Sequence, residues 1–328
     1  MTTSHFTRSA AALIVTSLLV ACGGGGGDNA QPGDPVNPGN PGTPPTVPAG
    51  TPVSYTAGST AAMALDMVNN AIAHCGYNRM TPALDLTNAA KAHANYEALN
   101  GFPTDHGENP GRPGFTGVTI FERIVAAGAS SDRANQTSEG IGTLGGSNGR
   151  VTTALLAAPF HQADLLSQWT EIGIGSTPET LNPAGDTAAV VFNYGGSRLN
   201  TVPMNSVRSF PCDGSTLISS QGGPEKPDPA PELGGKFGPG LNFETNKDGA
   251  ITVTSLSLRN ESTGDMIPVV QVKTHTLDGL LWRSMWISKG YLTPKTTYRV
   301  EARGNTYPSK NFNDTATPWS KNYSFTTF

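Results

Sequence analysis

The stretch Pro159-Phe-His-Gln-Ala-Asp-Leu-Leu-Ser-Gln-Trp-Thr-Glu-Ile-Gly-Ile-Gly175 decides most of what can be predicted about the fold. Pro159 ends the helical run before it, because proline disrupts a helix interior. His161 follows at a helix entry, and residues 171–175 form a strand-like run. We therefore expect His161 to lie where helices give way to strands.

Working outward, helices are predicted upstream of this stretch and strands downstream. Thr119 and Glu122 fit a capping box that opens a short helix. The predicted helices are 60–74, 82–99, 119–127 and 151–158, and the predicted strands are 171–175, 188–194 and 206–210. Helices first and strands after indicate an α+β fold rather than a parallel βαβ sheet.

Two histidines and one glutamate, in three separate stretches, are the candidate site residues. His106 lies in a polar loop with Asp105 and Glu108, Glu139 lies in Gln-Thr-Ser-Glu-Gly, and His161 lies in Pro-Phe-His-Gln. Neutral imidazoles and a carboxylate suit zinc or another divalent cation with an open position. Without a metal, the same groups would form a hydrogen-bonded cluster that organises a cleft.

These stretches resemble the bacterial branch of the CAP superfamily (SCP domain; cysteine-rich secretory, antigen 5 and pathogenesis-related proteins). The resemblance spans about residues 62–212 and depends on AHCGYNRMTPALDLTNAAKAHANY, TIFERIVAAG, PFHQADLLSQWTEIGIG, and VVFNYG with FPCDG. It implies a three-layer α-β-α sandwich in which His106, Glu139 and His161 line one open cleft. It also implies a disulfide between Cys75 and Cys212.

The chain departs from the family pattern just before the second histidine. The family often has a second glutamate there, whereas this chain has Leu155-Leu-Ala-Ala158. The predicted ligand set of His106, Glu139 and His161 is therefore incomplete. Asp105 or Glu108 could substitute from the other side of the cleft.

Other histidines and one glycine motif are interpreted as structural. His93 lies on a helical stripe with alanines and aromatics and is predicted to be a core residue. His74, at a helix end, and His275, in the C-terminal region, are predicted to lie outside the site. Residues 140–145 match G-x-G-x-x-G, but they lack the preceding buried strand and the following helix that a dinucleotide site needs.

The N-terminal segment predicts export and lipid attachment. Arg8 precedes an apolar run over residues 10–20, too short for a stop-transfer helix, and the run ends in Leu-Val-Ala-Cys22, which resembles a lipobox. Cys22 is then the lipidated residue, and Gly24 favours an outer-membrane or cell-surface destination. The alternative is an ordinary cleaved signal with an incidental cysteine. Residues 23–55, rich in glycine and proline, predict a disordered tether.

Composition narrows the class of protein further. A net charge of −4 with scattered basic residues shows no nucleic-acid footprint. The roughly 300 residues after a signal favour two domains. With Cys22 assigned to lipid, Cys75 and Cys212 form an even pair; in an oxidising compartment a disulfide is expected, with two buried thiols as the alternative.

Strand patterns dominate the C-terminal region. Tyr298 and Val300 alternate with Arg299 and Glu301, as in a half-buried strand. A slip of phase between residues 251 and 258 suggests a bulge, and the pattern ending in Tyr298 resembles a tyrosine corner. A small Ig-like β-sandwich is expected. The predicted organisation is a signal peptide at 1–22, a tether at 23–55, a CAP/SCP-like domain at 56–215, a linker at 216–235 and an Ig-like domain at 236–328.

Three functions are consistent with these features. The first is a lipid-anchored, non-enzymatic binding protein that takes a small-molecule or lipidic ligand, or a protein partner, at the His/Glu cleft. The second is a metal-dependent hydrolase of the envelope or the extracellular space, with a metal ion and Glu139 activating water. The third is an adhesion or structural envelope lipoprotein. Resemblance to a family indicates the fold more securely than the ligand.

Overall fold

The structure, a computed structural model, describes residues 48–145, 150–180, 187–222, 225, 228–272 and 280–328. The predicted signal, Cys22, most of the predicted tether and His275 lie outside these residues. The described residues belong to one compact unit. None of the helices in the described part of the chain has the length and apolar character needed to cross a bilayer.

Six α-helices occur in the described residues, and the four predicted from the sequence are confirmed. They are α1 Thr60–His74, α2 Leu84–Leu99, α3 Ile120–Ala126, α4 Ser131–Ala134, α5 Arg150–Ala157 and α6 Pro159–Leu165, and a 3₁₀ turn follows at Pro231–Leu233. The predicted capping box is present: Thr119 accepts from the backbone N–H of Glu122, and Glu122 accepts from that of Thr119. Two short helices, α4 and α6, add to the predicted set.

The strands make three sheets, so the chain is a mixed α+β protein. They are β1 Thr81–Pro82, β2 Ser138–Gly145, β3 Trp169–Thr177, β4 Thr187–Arg198, β5 Arg208–Phe210, β6 Ser215–Ile218, β7 Leu241–Glu244, β8 Ala250–Asn260, β9 Met266–Ile267, β10 Val269–Gln271, β11 Arg283–Ser288, β12 Thr297–Tyr307 and β13 Thr317–Thr327. Their orders are β1-β3-β4-β2, β10-β11-β7-β5 and β6-β13-β12-β8-β9. The G-x-G-x-x-G segment, for which the sequence predicts no strand, forms β2 and pairs antiparallel with β4.

Helices cover both faces of the first sheet. Ala189 and Val191 of β4 share a buried cluster with alanines of α2. Val190 and Phe192, which point the other way, belong to a core that includes residues of α1, α5 and α6. This alternation explains why β4 is apolar on both faces: each face packs against a helix.

Two glycines in the opening stretch set the distance between α2 and β3. A Cβ atom added to Gly173 or Gly175 would overlap the backbone of α2 at Leu86 or Ala90. No residue with a side chain fits there unless the helix moves away. The Gly-Ile-Gly sequence therefore lets α2, which carries His93, lie directly on the sheet.

The segment after the first sheet joins the C-terminal sheets. Strand β5 pairs with β7, and β6 pairs with β13. Cys75 at the end of α1 is disulfide-bonded to Cys212, between β5 and β6, so the predicted disulfide is confirmed. The first residues of the predicted linker, 216–218, therefore belong to a sheet.

The C-terminal region shows the local features that the sequence predicts. Tyr298 and Val300 are buried, while Glu301 is exposed. The register between β12 and β8 shifts at Thr254 of β8. At this point the alternation of apolar residues along β8 also changes phase. The hydroxyl of Tyr298 accepts a 2.8 Å hydrogen bond from the backbone N–H of Thr293. The predicted alternation and bulge are confirmed, and this hydrogen bond is the one expected of a tyrosine corner.

Candidate functional site

The three predicted site residues lie beside edge strand β2 of the first sheet. The rings of His106 and His161 are stacked, with centroids 6.3 Å apart and 26° between the planes. Nδ1 of His106 lies 3.1 Å from Oε1 of Glu139. His106 therefore contacts both Glu139 and His161, although the three residues come from separate elements. We call the surface that the two rings share the His106–His161 cleft, after the cleft that the sequence predicts.

Each residue is positioned by a different kind of element. His106 lies in the loop after α2, Glu139 lies on edge strand β2, and His161 lies in the first turn of α6. Gly140 follows Glu139, and a Cβ atom there would lie 2.9 Å from the hydroxyl oxygen of Tyr194 and 3.5 Å from Cδ2 of His161. The strand can approach α6 this closely because residue 140 has no side chain.

Arg123 of α3 holds the central carboxylate. Its Nη2 donates to both oxygens of Glu139 at 2.9 Å and to the carbonyl oxygen of His106 at 3.0 Å. The side chains of Arg123 and Glu139 are 1% and 2% exposed, so this is a buried ion pair. Arg123 was not predicted from the sequence as a site residue. The available signal was an arginine among the apolar residues of a short helix, since a buried guanidinium needs an anionic partner.

His93 lies directly behind the site. It is buried, so the prediction of a core histidine is confirmed. Its Nδ1 lies 2.9 Å from Oε1 of Glu108, its Nε2 donates to the carbonyl oxygen of Asp105 at 3.0 Å, and the same nitrogen is 3.8 Å from Glu139. The carboxylate of Glu108 also accepts a hydrogen bond from the backbone N–H of Thr116, so its two oxygens are bonded to His93 and to Thr116. The hypothesis that Glu108 completes a ligand set in the cleft is not supported.

A second glutamate is supplied by a segment that the sequence predicts to be a linker. Glu225 accepts a 2.7 Å hydrogen bond from Nδ1 of His161, and its side chain is 1% exposed. The composition of Gly-Gly-Pro-Glu-Lys-Pro gives no hint of a buried acid. This carboxylate could not be found from the sequence, because its role depends on a contact across 64 positions.

Electrostatic coupling ties His106 to Glu139. Burial would raise the pKa of Glu139, but the hydrogen bond from His106 and the positive charge of Arg123 hold that pKa below its ordinary value. The hydrogen bond to Glu139 raises the pKa of His106, against the opposing effect of burial. The carboxylate therefore stays ionised, and the imidazole keeps its proton to a higher pH than a free histidine.

The donor set does not fit the three-ligand metal site predicted from His106, Glu139 and His161. Both oxygens of Glu139 are bonded to Arg123, which leaves only the two imidazoles of the predicted set. A carboxylate that already neutralises a buried guanidinium is a poor ligand for a cation. Within the described ranges, no group of three or more His, Cys, Asp or Glu side chains is arranged to hold a metal ion.

Comparison with known proteins does not assign this chain to a family. No family model matches the chain, and no curated protein shows a significant match to it. The similarity to the CAP superfamily therefore stays a prediction from the quoted motifs.

Proposed function

We propose that this chain is an exported, lipid-anchored protein with a CAP-like domain and an Ig-like β-sandwich, and that it binds a small polar ligand at the His106–His161 cleft. The lipobox-like sequence ending at Cys22 supports export and anchoring in the outer membrane or at the cell surface. The Cys75–Cys212 disulfide fits an oxidising compartment.

Several features of the fold support the two proposed domains. Helices lie on both faces of the first sheet, as a three-layer α-β-α sandwich requires. The bulge at Thr254 and the hydrogen bond to the hydroxyl of Tyr298 are typical of a small β-sandwich. In this proposal, the pairing of β5 with β7 is the strand contact that joins the two domains.

One observation carries the binding proposal: Nδ1 of each imidazole in the cleft is hydrogen-bonded to a buried carboxylate. An ionised carboxylate only accepts hydrogen bonds, so each Nδ1 carries the proton that it donates. In the neutral ring, which is the form that His106 takes at pH values above its raised pKa, Nε2 is then an acceptor. Two adjacent rings fixed in this way, with side chains 54% and 19% exposed, offer two acceptors to a ligand. Such a site suits a molecule with neighbouring hydroxyl or amide N–H donors.

The binding proposal can be tested with a defined panel of probes. Saturation-transfer NMR with hydroxylated small molecules, short peptides and fatty acids, and calorimetric titration with Zn²⁺, would be run on the full chain. The variants His106→Ala and His161→Ala remove the two acceptors, and His74→Ala is the matched control, since His74 bonds to the carbonyl of Asp213 instead.

We expect a hydroxyl- or amide-bearing probe to bind the wild type and the His74→Ala control equally. Each cleft variant should bind it roughly tenfold more weakly, the loss that corresponds to about 1.4 kcal/mol. Binding of every positive probe that persists in both cleft variants would contradict the proposal. Tight binding of Zn²⁺ alone would also contradict it and would favour a metal site.

A further inference from the structure

Helix α6, which carries His161, has no side-chain cap of its own. Its N-cap residue is Ala158, which cannot accept a hydrogen bond with its side chain. Glu225 takes that role from a distant segment: its carboxylate accepts from the backbone N–H groups of Phe160 at 3.0 Å and His161 at 2.9 Å. A negative charge at this end of a helix also interacts favourably with the partial positive charge there.

The same carboxylate bonds to the imidazole that faces the cleft. Oε1 of Glu225 lies 2.9 Å from the backbone nitrogen of His161 and 2.7 Å from Nδ1 of its ring. One oxygen therefore contacts both the main chain and the side chain of a single residue. This geometry fixes the ring relative to the helix.

Two further residues of the C-terminal region, Gly240 and Arg283, form hydrogen bonds with α6 and with the end of α5. The side chain of Gln162 donates to the carbonyl oxygen of Gly240 at 3.0 Å, and the N–H of Gly240 donates to Ala157 at 3.0 Å. Arg283 of β11 donates to the carbonyl oxygens of Ala163, at 2.6 Å, and Leu166, at 3.0 Å, at the other end of the helix. Residues after position 222 thus contact the start, the middle and the end of α6.

We propose that Glu225 is a positioning residue of the His106–His161 cleft: it holds the ring of His161 with the proton on Nδ1 and leaves Nε2 as the acceptor for a ligand. This inference rests on the proposed function of the cleft. The resemblance to the CAP superfamily predicts a second glutamate shortly before His161, where this chain has Leu155-Leu-Ala-Ala158. In this proposal Glu225 supplies that carboxylate. Here that acid comes from the segment after the disulfide.

The test follows the tautomer of His161 directly, without any ligand. Long-range ¹H–¹⁵N NMR distinguishes a ring protonated on Nδ1 from one protonated on Nε2. We would compare the wild type with Glu225→Ala and Glu225→Gln, and use Glu232→Ala as the matched control, because Glu232 is exposed in the same region. If Glu225→Ala does not fold, Glu225→Gln keeps an oxygen that can cap α6 while removing the charge.

We expect His161 to be protonated on Nδ1 in the wild type and in Glu232→Ala at neutral pH. In Glu225→Ala the Nε2-protonated form should gain population. Glu225→Gln, whose amide oxygen can still accept from Nδ1, should keep the wild-type tautomer, and the tautomer of His106 should stay unchanged in both variants. A probe that binds through the cleft should then bind roughly tenfold more weakly to Glu225→Ala than to Glu232→Ala.

The two proposals fail in distinguishable ways. An unchanged tautomer of His161 in folded Glu225→Ala, or a wild-type His161 protonated on Nε2 alone, would overturn the positioning role, whichever probes bind. If the tautomer changes but the probes bind the wild type and both histidine variants equally well, the positioning role is upheld and the proposed function of the cleft is overturned.

Discussion

The two histidines of the cleft have the same side chain and the same kind of partner, yet they are held in different ways. His106 lies in a loop, is half exposed, and bonds to Glu139, which Arg123 neutralises in turn. His161 lies on a short helix, is mostly covered, and bonds to Glu225 from a segment far along the chain. The first arrangement is complete within residues 106–139, whereas the second needs the C-terminal region.

This difference separates the two halves of the site energetically. On the His106 side, a buried ion pair supports the carboxylate, so its loss should destabilise the fold. On the His161 side, the support comes from hydrogen bonds between regions, so its loss should mainly change the ring and its helix. Variants of single residues can test each side separately.

The largest effect is expected for Arg123→Ala. The change leaves Glu139 buried and without its cationic partner, which should lower the free energy of unfolding by about 3–5 kcal/mol. Urea unfolding monitored by circular dichroism measures this value. Arg112→Ala, at an exposed position, is the control and should change stability by less than about 0.5 kcal/mol. Equal stabilities of the two variants would contradict the assigned role of Arg123.

A smaller effect is expected for Arg283→Ala. The variant loses two hydrogen bonds to the end of α6, but Glu244 keeps its other partner, Arg208. We expect a loss of about 1.5–3 kcal/mol, the range for hydrogen bonds that involve a charged group. NMR should show changed signals for His161 and unchanged signals for His106. Changes at His106 of the same size would contradict the separation of the two sides.

The smallest effect is expected for His106→Gln, and it should depend on pH. Because the hydrogen bond to Glu139 raises the pKa of His106 in the folded protein, the folded state binds this proton more tightly than the unfolded state. The resulting stability is fully present below the ordinary pKa of about 6.5 and is lost as pH rises through the raised pKa.

Solvent screens this half-exposed pair, so the stability lost in His106→Gln near pH 6 should be only a few tenths of a kcal/mol. Urea unfolding of the variant and the wild type at about pH 6 and pH 9 measures it. The difference between the two proteins should shrink at the higher pH. A difference that grows with pH would show that the sign is wrong.

Local patterns predicted the His106 side of the site better than the His161 side. His106 and Glu139 were found because each has a recognisable frame, and the capping box at Thr119 gave the start of α3 correctly. Arg123, on that same helix, was overlooked because a single arginine does not reveal whether it is buried. Glu225 had no local signal, since its neighbours have the composition of a linker.

The sequence by itself determined the periodic elements of this protein, namely the main helices, strands β3 and β4, the bulge in β8 and the residues of the disulfide. The helices, the strands and the bulge depend on side-chain spacing and on backbone preferences, which act over a few residues. The disulfide was predicted from the number of cysteines and from the resemblance to a family. Only the tertiary structure decided that β2 is a strand, that Arg123 neutralises Glu139 and that Glu225 holds His161. Those features need partners from distant segments of the chain. The energy of burying a charge depends on the opposite charge beside it, and an edge strand forms only where a neighbouring strand can pair with it.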